Sequence, residues 1–274
     1  MNKKVYGMKE QFIQIVDIMR YWLPLLLQFG AIILTFVCAV FYSKLNNLSV
    51  STMIITGVFA VVGAAAGGTF WSEPGLLYTA NSVIDIFSGP LGVIGVLLGG
   101  WLTASIYLML SREPMLQYMD AALPAVVLGY MLARLGCFAA GDDFGVVTDV
   151  PWAVTFPPGS AAYQAHIMRD WIEPGSHASL AVHPAQLYHF FHAGFIFLVL
   201  NKIWFNSAVT RITFAMISYA GGRFLIQFLR DDHWQQDNVL DQAQWFCLLF
   251  IVTGITLWLY QRSRGYRLVE AATV

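Results

Sequence analysis

The sequence predicts an all-α integral membrane protein with about seven transmembrane helices, a long ordered loop and an N-terminal interfacial helix. Two observations carry this fold class: 58% of the 274 residues are hydrophobic, and only 11% are charged. A soluble domain has about 25% charged residues because its surface faces water. A chain so poor in charge needs a bilayer around it. The formal net charge of −1 gives no basic field for nucleic acid, which we exclude as a partner.

The first twenty residues predict a helix that lies at the membrane interface before the first span. Charged residues such as Lys3 and Arg20 are mixed there with apolar ones such as Ile13 and Val16, as in helices that lie in the plane of the interface. The apolar run that follows is longer than the core of a signal peptide and lacks a small-x-small cleavage site. We therefore assign residues 1–20 to an interfacial segment and not to a leader.

Seven apolar runs are long enough to cross a bilayer, which takes about 20 mainly apolar residues. The predicted spans are 21–42, 53–71, 87–110, 119–140, 185–205, 209–229 and 244–260. Glycines recur within them, and small residues let membrane helices approach closely. We expect one membrane domain over residues 1–274.

Residues 141–183 interrupt this pattern with a long polar connection that contains four prolines as well as Trp152 and Trp171. The tryptophans favour an ordered cap at the outer interface. An odd number of spans places the termini on opposite sides, and most loop arginines and lysines lie on the side of the tail 261–274. The positive-inside rule therefore predicts a cytoplasmic C-terminus and an N-terminus on the outer side, although the basic residues near the N-terminus oppose this orientation.

Arg134 and Arg223 fall well inside predicted spans. A charged side chain at the bilayer centre costs at least about 2.5–3.5 kcal/mol, so such residues are functional candidates. The guanidinium is a planar fork of donors that suits phosphate, and two of them at similar depth predict a headgroup site for an anionic lipid. The alternative is that each arginine only pairs with a carboxylate such as Asp120, Asp142 or Asp143.

Histidines cluster at the start of a predicted span. His183 precedes a proline where the long loop meets the helix, and its pKa class suits a general base. His189 and His192 have the spacing of metal ligands on one helix face, but no matching carboxylate motif accompanies them, so we expect a polar or aromatic packing role and no metal. The three cysteines, Cys38, Cys137 and Cys247, have neither disulfide nor zinc spacing, and we expect small packing side chains at Cys38 and Cys247.

Four motifs follow one another between residues 130 and 235. They are Arg134-Leu-Gly-Cys-Phe-Ala-Ala-Gly-Asp-Asp-Phe-Gly145, Thr148-Asp-Val-Pro-Trp152, His183-Pro-Ala-Gln-Leu-Tyr188 and Arg223-Phe-Leu-Ile-Gln-Phe-Leu-Arg230. In this order they resemble the prolipoprotein diacylglyceryl transferase family, whose motifs are Arg-x-Gly-Asn-Phe-x-x-Gly-Glu-x-x-Gly, Thr-Asp-x-Pro-Trp, His-Pro-Ser-Gln-Leu-Tyr-Glu and Arg-Phe-x-x-Glu-x-x-Arg. Each motif alone is weak, but the ordered set is specific.

The resemblance implies a multi-pass enzyme of the bacterial inner membrane. It implies transfer of a diacylglyceryl group from phosphatidylglycerol, a membrane lipid, to the lipobox cysteine thiol of a prolipoprotein signal-peptide region. A thioether forms, glycerol phosphate is released, and we expect no cofactor. The N-terminus and the long loop 141–183 would be periplasmic, with the loop as a cap or acceptor-docking surface.

The resemblance also implies roles for individual residues. The two essential arginines of the family correspond to Arg134 and Arg223, and Arg230 is a third expected contact. Gly145 is expected to admit the lipid close to the backbone. Further positions expected to line the substrate site are Cys137, Asp142, Gln186, Tyr188, Ser88 and Gly89.

The chain departs from the family pattern at positions that bear on mechanism. The family has a His-Gly-Gly turn, with its histidine proposed as the base, where this chain has Ser88-Gly89-Pro90. Serine cannot act as a base at neutral pH without help, so we hypothesise that His183, or else His189, takes this role. Gln227 and His189 replace two motif glutamates, and Cys137 replaces the asparagine. These departures leave two alternatives: a paralogue with another acceptor, and a non-catalytic lipid-binding protein.

Overall fold

The computed structural model describes residues 2–73, 92–203, 205–232 and 239–272. Within these residues the chain forms eight α-helices and isolated β-bridges, without a named strand. The helices are α1 (Asn2–Leu45), α2 (Val50–Ser72), α3 (Val93–Leu110), α4 (Met115–Ala140), α5 (Ala161–Met168), α6 (Ala185–Lys202), α7 (Ala208–Gln227) and α8 (Gln242–Ala272).

Every predicted span overlaps one of these helices. Four helical segments of the described chain are long and apolar enough to cross a bilayer: Trp22–Leu45, Val50–Ser72, Met115–Ala140 and Gln242–Ser263. Helix α3 contributes a shorter apolar segment, Ile94–Leu110. The all-helical membrane class is therefore supported, whereas the total of seven spans stays a prediction. The start of the third predicted span lies outside the described residues, as do Ser88 and Gly89.

The predicted interfacial helix is not a separate element. Helix α1 runs from Asn2 to Leu45 without a break, with Pro24 in its interior. Residues 2–20 are thus helical and continuous with the first span. Their location at the membrane interface stays a prediction.

The chain divides into two compact units. The first comprises residues 1–34, 127–202 and 217–251, and the second comprises residues 35–126, 203–216 and 252–274. Helices α1, α4, α7 and α8 contribute residues to both. All candidate site residues in the described part of the chain belong to the first unit.

Glycines hold helices α2 and α3 together in the second unit. A Cβ atom on Gly67 would overlap the carbonyl oxygen of Gly95, and one on Gly99 would overlap that of Gly63. The two backbones therefore touch, as small-residue motifs permit between membrane helices. The Thr103 hydroxyl adds an interhelical hydrogen bond to the carbonyl oxygen of Phe59, at 2.8 Å.

The long segment 141–183 of the first unit is folded. Helix α5 begins at Ser160, whose hydroxyl accepts from the backbone N–H of Tyr163, an ordinary N-cap. Phe156, Ala162 and Val182 form a small buried core, and Val182 bridges to both Val147 and Val154. The location of this loop on the periplasmic side stays a prediction.

Candidate functional site

Arg134 lies on α4 and is buried, with 9% of its surface exposed. Its Nη1 atom lies 2.6 Å from Oδ2 of Asp143, and its guanidinium carbon lies 4.8 Å from the centre of the Tyr130 ring, one helical turn earlier. The Nε atom is buried and has no hydrogen-bond partner among the described residues. Part of this cation is thus neutralised, and one donor remains.

Asp143 binds a second arginine as well. Nη2 of Arg230, just beyond α7, lies 2.8 Å from Oδ1 of Asp143 and 2.8 Å from Oδ2 of Asp232. Burial alone raises the pKa of Asp143, but Arg230 and Arg134 outweigh this effect and keep that pKa below its usual range. One ionised carboxylate therefore joins two buried guanidiniums. Nη1 of Arg230 is buried without a partner in the described part of the chain.

Arg223 differs from both. It lies half-buried on α7 and forms no ion pair with a carboxylate of the described residues. It is close enough to His189 and Tyr219 to act on them electrostatically. Arg134 thus has a carboxylate partner, as the alternative expects, whereas Arg223 has none among the described residues. Asp120, a predicted partner for either arginine, pairs with Arg211 at 3.3 Å.

His183 belongs to a row of three hydrogen-bonded side chains. Its Nδ1 atom lies 3.0 Å from the Tyr188 hydroxyl oxygen, which also accepts a hydrogen bond of 2.8 Å from the Trp152 indole N–H. Burial lowers the pKa of His183, so the ring is neutral at pH 7. A neutral imidazole can accept a proton, as a general base must.

Gly145 packs directly against the backbone at His183. Its N–H donates to the carbonyl oxygen of His183 at 2.9 Å. A Cβ atom at this position would lie 2.6 Å from the Cβ of His183 and 2.6 Å from the carbonyl oxygen of Leu229. These contacts require glycine here. The expected approach of the lipid to Gly145 stays a prediction.

Gln186, Asp142 and Cys137 lie beside this arrangement. The fully buried Gln186 amide donates to the backbone carbonyl of Asp142. Burial raises the pKa of Asp142, while a hydrogen bond with the Cys137 thiol acts against that shift. Ligand atoms of Cys137, Asp142 and Asp143 lie within 4.8 Å of one another, but the guanidiniums bound to Asp143 oppose a cation there.

His189 is fully buried on α6, and neither ring nitrogen has a hydrogen-bond partner among the described residues. It lies in the electrostatic field of Arg134, Arg223 and Arg230. His192, its neighbour on the helix, packs against Gly222. The described residues bring no third metal ligand to these two histidines.

Gln227 has a structural reason to replace the motif glutamate. It is 1% exposed, and its amide N–H groups donate to Asp241 at 2.6 Å and to Asp232 at 3.3 Å. A glutamate here would face two carboxylates and repel both. The amide instead serves as donor to each of them.

The sequence did not identify Asp143, Asp232 or Asp241 as members of the site. Asp143 was only one of several possible partners for a buried arginine, and the other two carboxylates lie outside the matched motifs. A signal was present, because Asp142-Asp143 lies within one motif that contains an arginine and Asp231-Asp232 directly follows another.

Comparisons with known proteins point in one direction. The family model described as prolipoprotein diacylglyceryl transferase matches residues 10–260. A protein of Finegoldia magna is 28% identical over 88% of this chain and 90% of its own length. A protein of Burkholderia mallei is 32% identical over 79% of each chain, and one of Pseudomonas putida is 29% identical over 74% of each. All three relatives are named phosphatidylglycerol–prolipoprotein diacylglyceryl transferase.

Proposed function

The chain belongs to the prolipoprotein diacylglyceryl transferase family, and from this premise we propose that it transfers a diacylglyceryl group from phosphatidylglycerol to a prolipoprotein cysteine thiol. One observation supports the proposal most directly: Arg134 and Arg223 occupy the motif arginine positions and both lie in the first compact unit. A half-buried guanidinium without a carboxylate partner in the described residues, such as that of Arg223, has its charge available for a phosphodiester.

The reaction exchanges one bond for another. The thiol loses its proton, because the thiolate is the nucleophile, and the sulfur attacks the glyceryl carbon that carries the phosphate. A C–S bond forms while the C–O bond to the phosphate breaks. The phosphate oxygen keeps the electron pair and departs as glycerol phosphate, so negative charge grows on the leaving group.

The arginines supply the positive charge that stabilises this leaving group. Arg223 is the cation with the fewest competing contacts, and Arg134 and Arg230 each keep one buried N–H group unpaired among the described residues. Preorganised donors of this kind stabilise charge that develops in a transition state. We assign Arg223 and Arg134 to the phosphate of the lipid and Arg230 to a supporting contact.

His183 is our choice for the base that receives the thiol proton. It is neutral at pH 7 and only half-buried, whereas His189 is fully buried in the field of three arginines. The phenol of Tyr188 fixes the orientation of the His183 ring. Orientation of a base by a third group is common to nucleophilic sites.

The proposed orientation of the protein in the membrane is chosen so that the site faces the side on which the prolipoprotein cysteine is presented. We assign the protein to the bacterial inner membrane with the loop 141–183 and the N-terminus on the periplasmic side and the tail 261–274 in the cytoplasm. A signal peptide with its lipobox cysteine then meets the arginines at the outer face of the bilayer.

The test uses purified protein, labelled phosphatidylglycerol and a lipobox peptide. We expect a thioether product and the release of glycerol phosphate. Arg134→Ala and Arg223→Ala are each expected to reduce transfer at least about 100-fold, as the loss of a preorganised donor does. Arg112→Ala removes an exposed arginine far along the chain from the motifs and serves as control. Full transfer by both site variants would refute the assignment.

The same assay separates the alternatives. The departures at Cys137, His189 and Gln227 favour, as a second candidate, a paralogue with another acceptor. Glycerol phosphate released only with a different thiol or hydroxyl compound would support that candidate. Tight binding of the lipid with no release at all would support a non-catalytic binding protein.

A further inference from the structure

We propose that the Asp143 carboxylate competes with the phosphate group of the lipid for the arginines of the site. This competition weakens the binding of phosphate and favours the release of glycerol phosphate. The inference rests on the proposed function for the identity of the phosphate. It concerns a residue at a variable position of the matched motif.

Asp143 binds the arginines in the manner of a phosphate group. One oxygen lies 2.6 Å from Arg134 and the other lies 2.8 Å from Arg230. Two oxygens of one anion are thus shared between guanidiniums from different elements, an arrangement that arginine also forms with phosphate. The carboxylate and a phosphate therefore compete for the same donors.

The exposed member of this cluster is the carboxylate. The Asp143 side chain is 33% exposed, whereas those of Arg134 and Arg230 are 10% and 8% exposed. An anion that approaches the arginines from solvent meets Asp143 first. Its backbone has a positive φ of 54°, a conformation that aspartate tolerates better than most residues.

The arginines are not saturated by their carboxylates. Nε of Arg134 and Nη1 of Arg230 are buried and have no partner among the described residues. An incoming anion can therefore gain new hydrogen bonds from guanidiniums that already point into the cluster. To reach these donors, the anion has to displace Asp143 from at least one of the two arginines.

The competition acts more strongly on the product than on the substrate. A phosphodiester carries one negative charge, whereas a phosphate monoester carries about −1.5 to −2 at pH 7. Repulsion by the Asp143 carboxylate scales with that charge. The carboxylate thus offsets the tighter attraction of three arginines for the departing monoester, and it favours turnover over retention.

The experiment measures the binding of glycerol phosphate to purified protein without peptide. Asp143→Asn is expected to lower the Kd for glycerol phosphate at least about tenfold, because the carboxylate and the phosphate repel each other when close together in a site. Asp170→Asn is the matched control, because Asp170 also has a positive φ, 56°, and is exposed without an ion pair to a described residue. An unchanged or weaker affinity in Asp143→Asn would overturn the inference.

Two further measurements cover a variant that folds poorly. Asp143→Gly also removes the carboxylate and suits the positive φ, so the same gain in affinity is expected. An experimental structure of the unsubstituted protein with glycerol phosphate is expected to show Asp143 withdrawn from Arg134 or Arg230. Retention of both contacts with glycerol phosphate on the arginines would count against displacement and overturn the proposal.

The outcome remains distinct from that of the proposed function. If the unsubstituted protein catalyses transfer but Asp143→Asn does not bind glycerol phosphate more tightly, this inference is refuted and the proposed function stands. A gain in affinity without any transfer supports the competition and defeats the function. With both intact, the rate of Asp143→Asn is expected to fall more in later turnovers than in the first, because glycerol phosphate is retained.

Discussion

His183 is the side chain whose substitution tests the proposed mechanism most directly. His183→Gln is expected to reduce transfer at least about 100-fold, because loss of a general base typically costs this much. The measurement is the initial rate of thioether formation by folded, purified protein. His177→Gln is the control, because His177 is exposed in the same loop. Unchanged turnover in His183→Gln would remove His183 from the mechanism.

The pH dependence of transfer follows from the same residue. Burial lowers the pKa of His183 below its usual 6.5, so the neutral ring persists at pH 7 and is lost only as the pH falls further. We expect the transfer rate to hold from pH 7 to 6.5 and to decline below that value. The profile is measured with a buffer series at saturating lipid. An acidic limb above pH 7 would disagree with a neutral, part-buried His183.

In the proposed mechanism, Tyr188 positions the base His183 and does not itself react. Tyr188→Phe keeps the ring but removes the oxygen that contacts both His183 and Trp152. We expect a loss of about tenfold or more in kcat, as for other supporting residues. In a His183→Gln background the same substitution is expected to cost little further. A full additional loss there would mean that Tyr188 acts independently of His183.

At the residue scale, the sequence predicted where several site residues lie but not all of their contacts. The placement of Arg134 and Arg223 within helices and of His183 at the loop boundary follows from the sequence alone. The sequence could not tell which carboxylate would reach Arg134. That contact depends on the positive φ of Asp143 and on how residues 144–146 pair with the end of α7.

Helices α2 and α3 provide the test at the level of elements. Gly67→Ala is expected to destabilise the protein by about 1–3 kcal/mol, because the added methyl group meets backbone and the helices must separate. The measurement is thermal unfolding in detergent. Gly30→Ala is the control, since a Cβ there meets nothing within 4 Å, and alanine favours a helix over glycine. Equal stability of the two variants would disprove the close contact.

The elements themselves were predictable to differing degrees. Apolar runs located the long helices because burial in a bilayer demands such runs. They missed α5, whose eight residues are too few for a clear periodic pattern. They also divided α1 at the charged residues near the N-terminus, although the helix continues through them.

At the scale of the whole molecule, the orientation in the membrane is open to a direct test. We expect a C-terminal alkaline phosphatase fusion to be inactive and a C-terminal green fluorescent protein fusion to fluoresce, because the tail is assigned to the cytoplasm by its arginines. A fusion within the loop at Gly175, an exposed turn, is expected to show active phosphatase. The reverse pattern would invert the assigned topology.

The segment beyond α7 is fastened to the long loop by its main chain. The Val146 N–H donates to the carbonyl oxygen of Leu229, and the Asp231 N–H donates to that of Phe144. The Arg169 guanidinium also donates two hydrogen bonds, of 2.6 and 2.8 Å, to the Asp231 carboxylate. Swinging this loop outward as a hinged flap would break all of these contacts and separate Arg230 from Asp143. Under the proposed function, this attachment favours a route in which the lipid and the prolipoprotein both reach the arginines from within the plane of the bilayer.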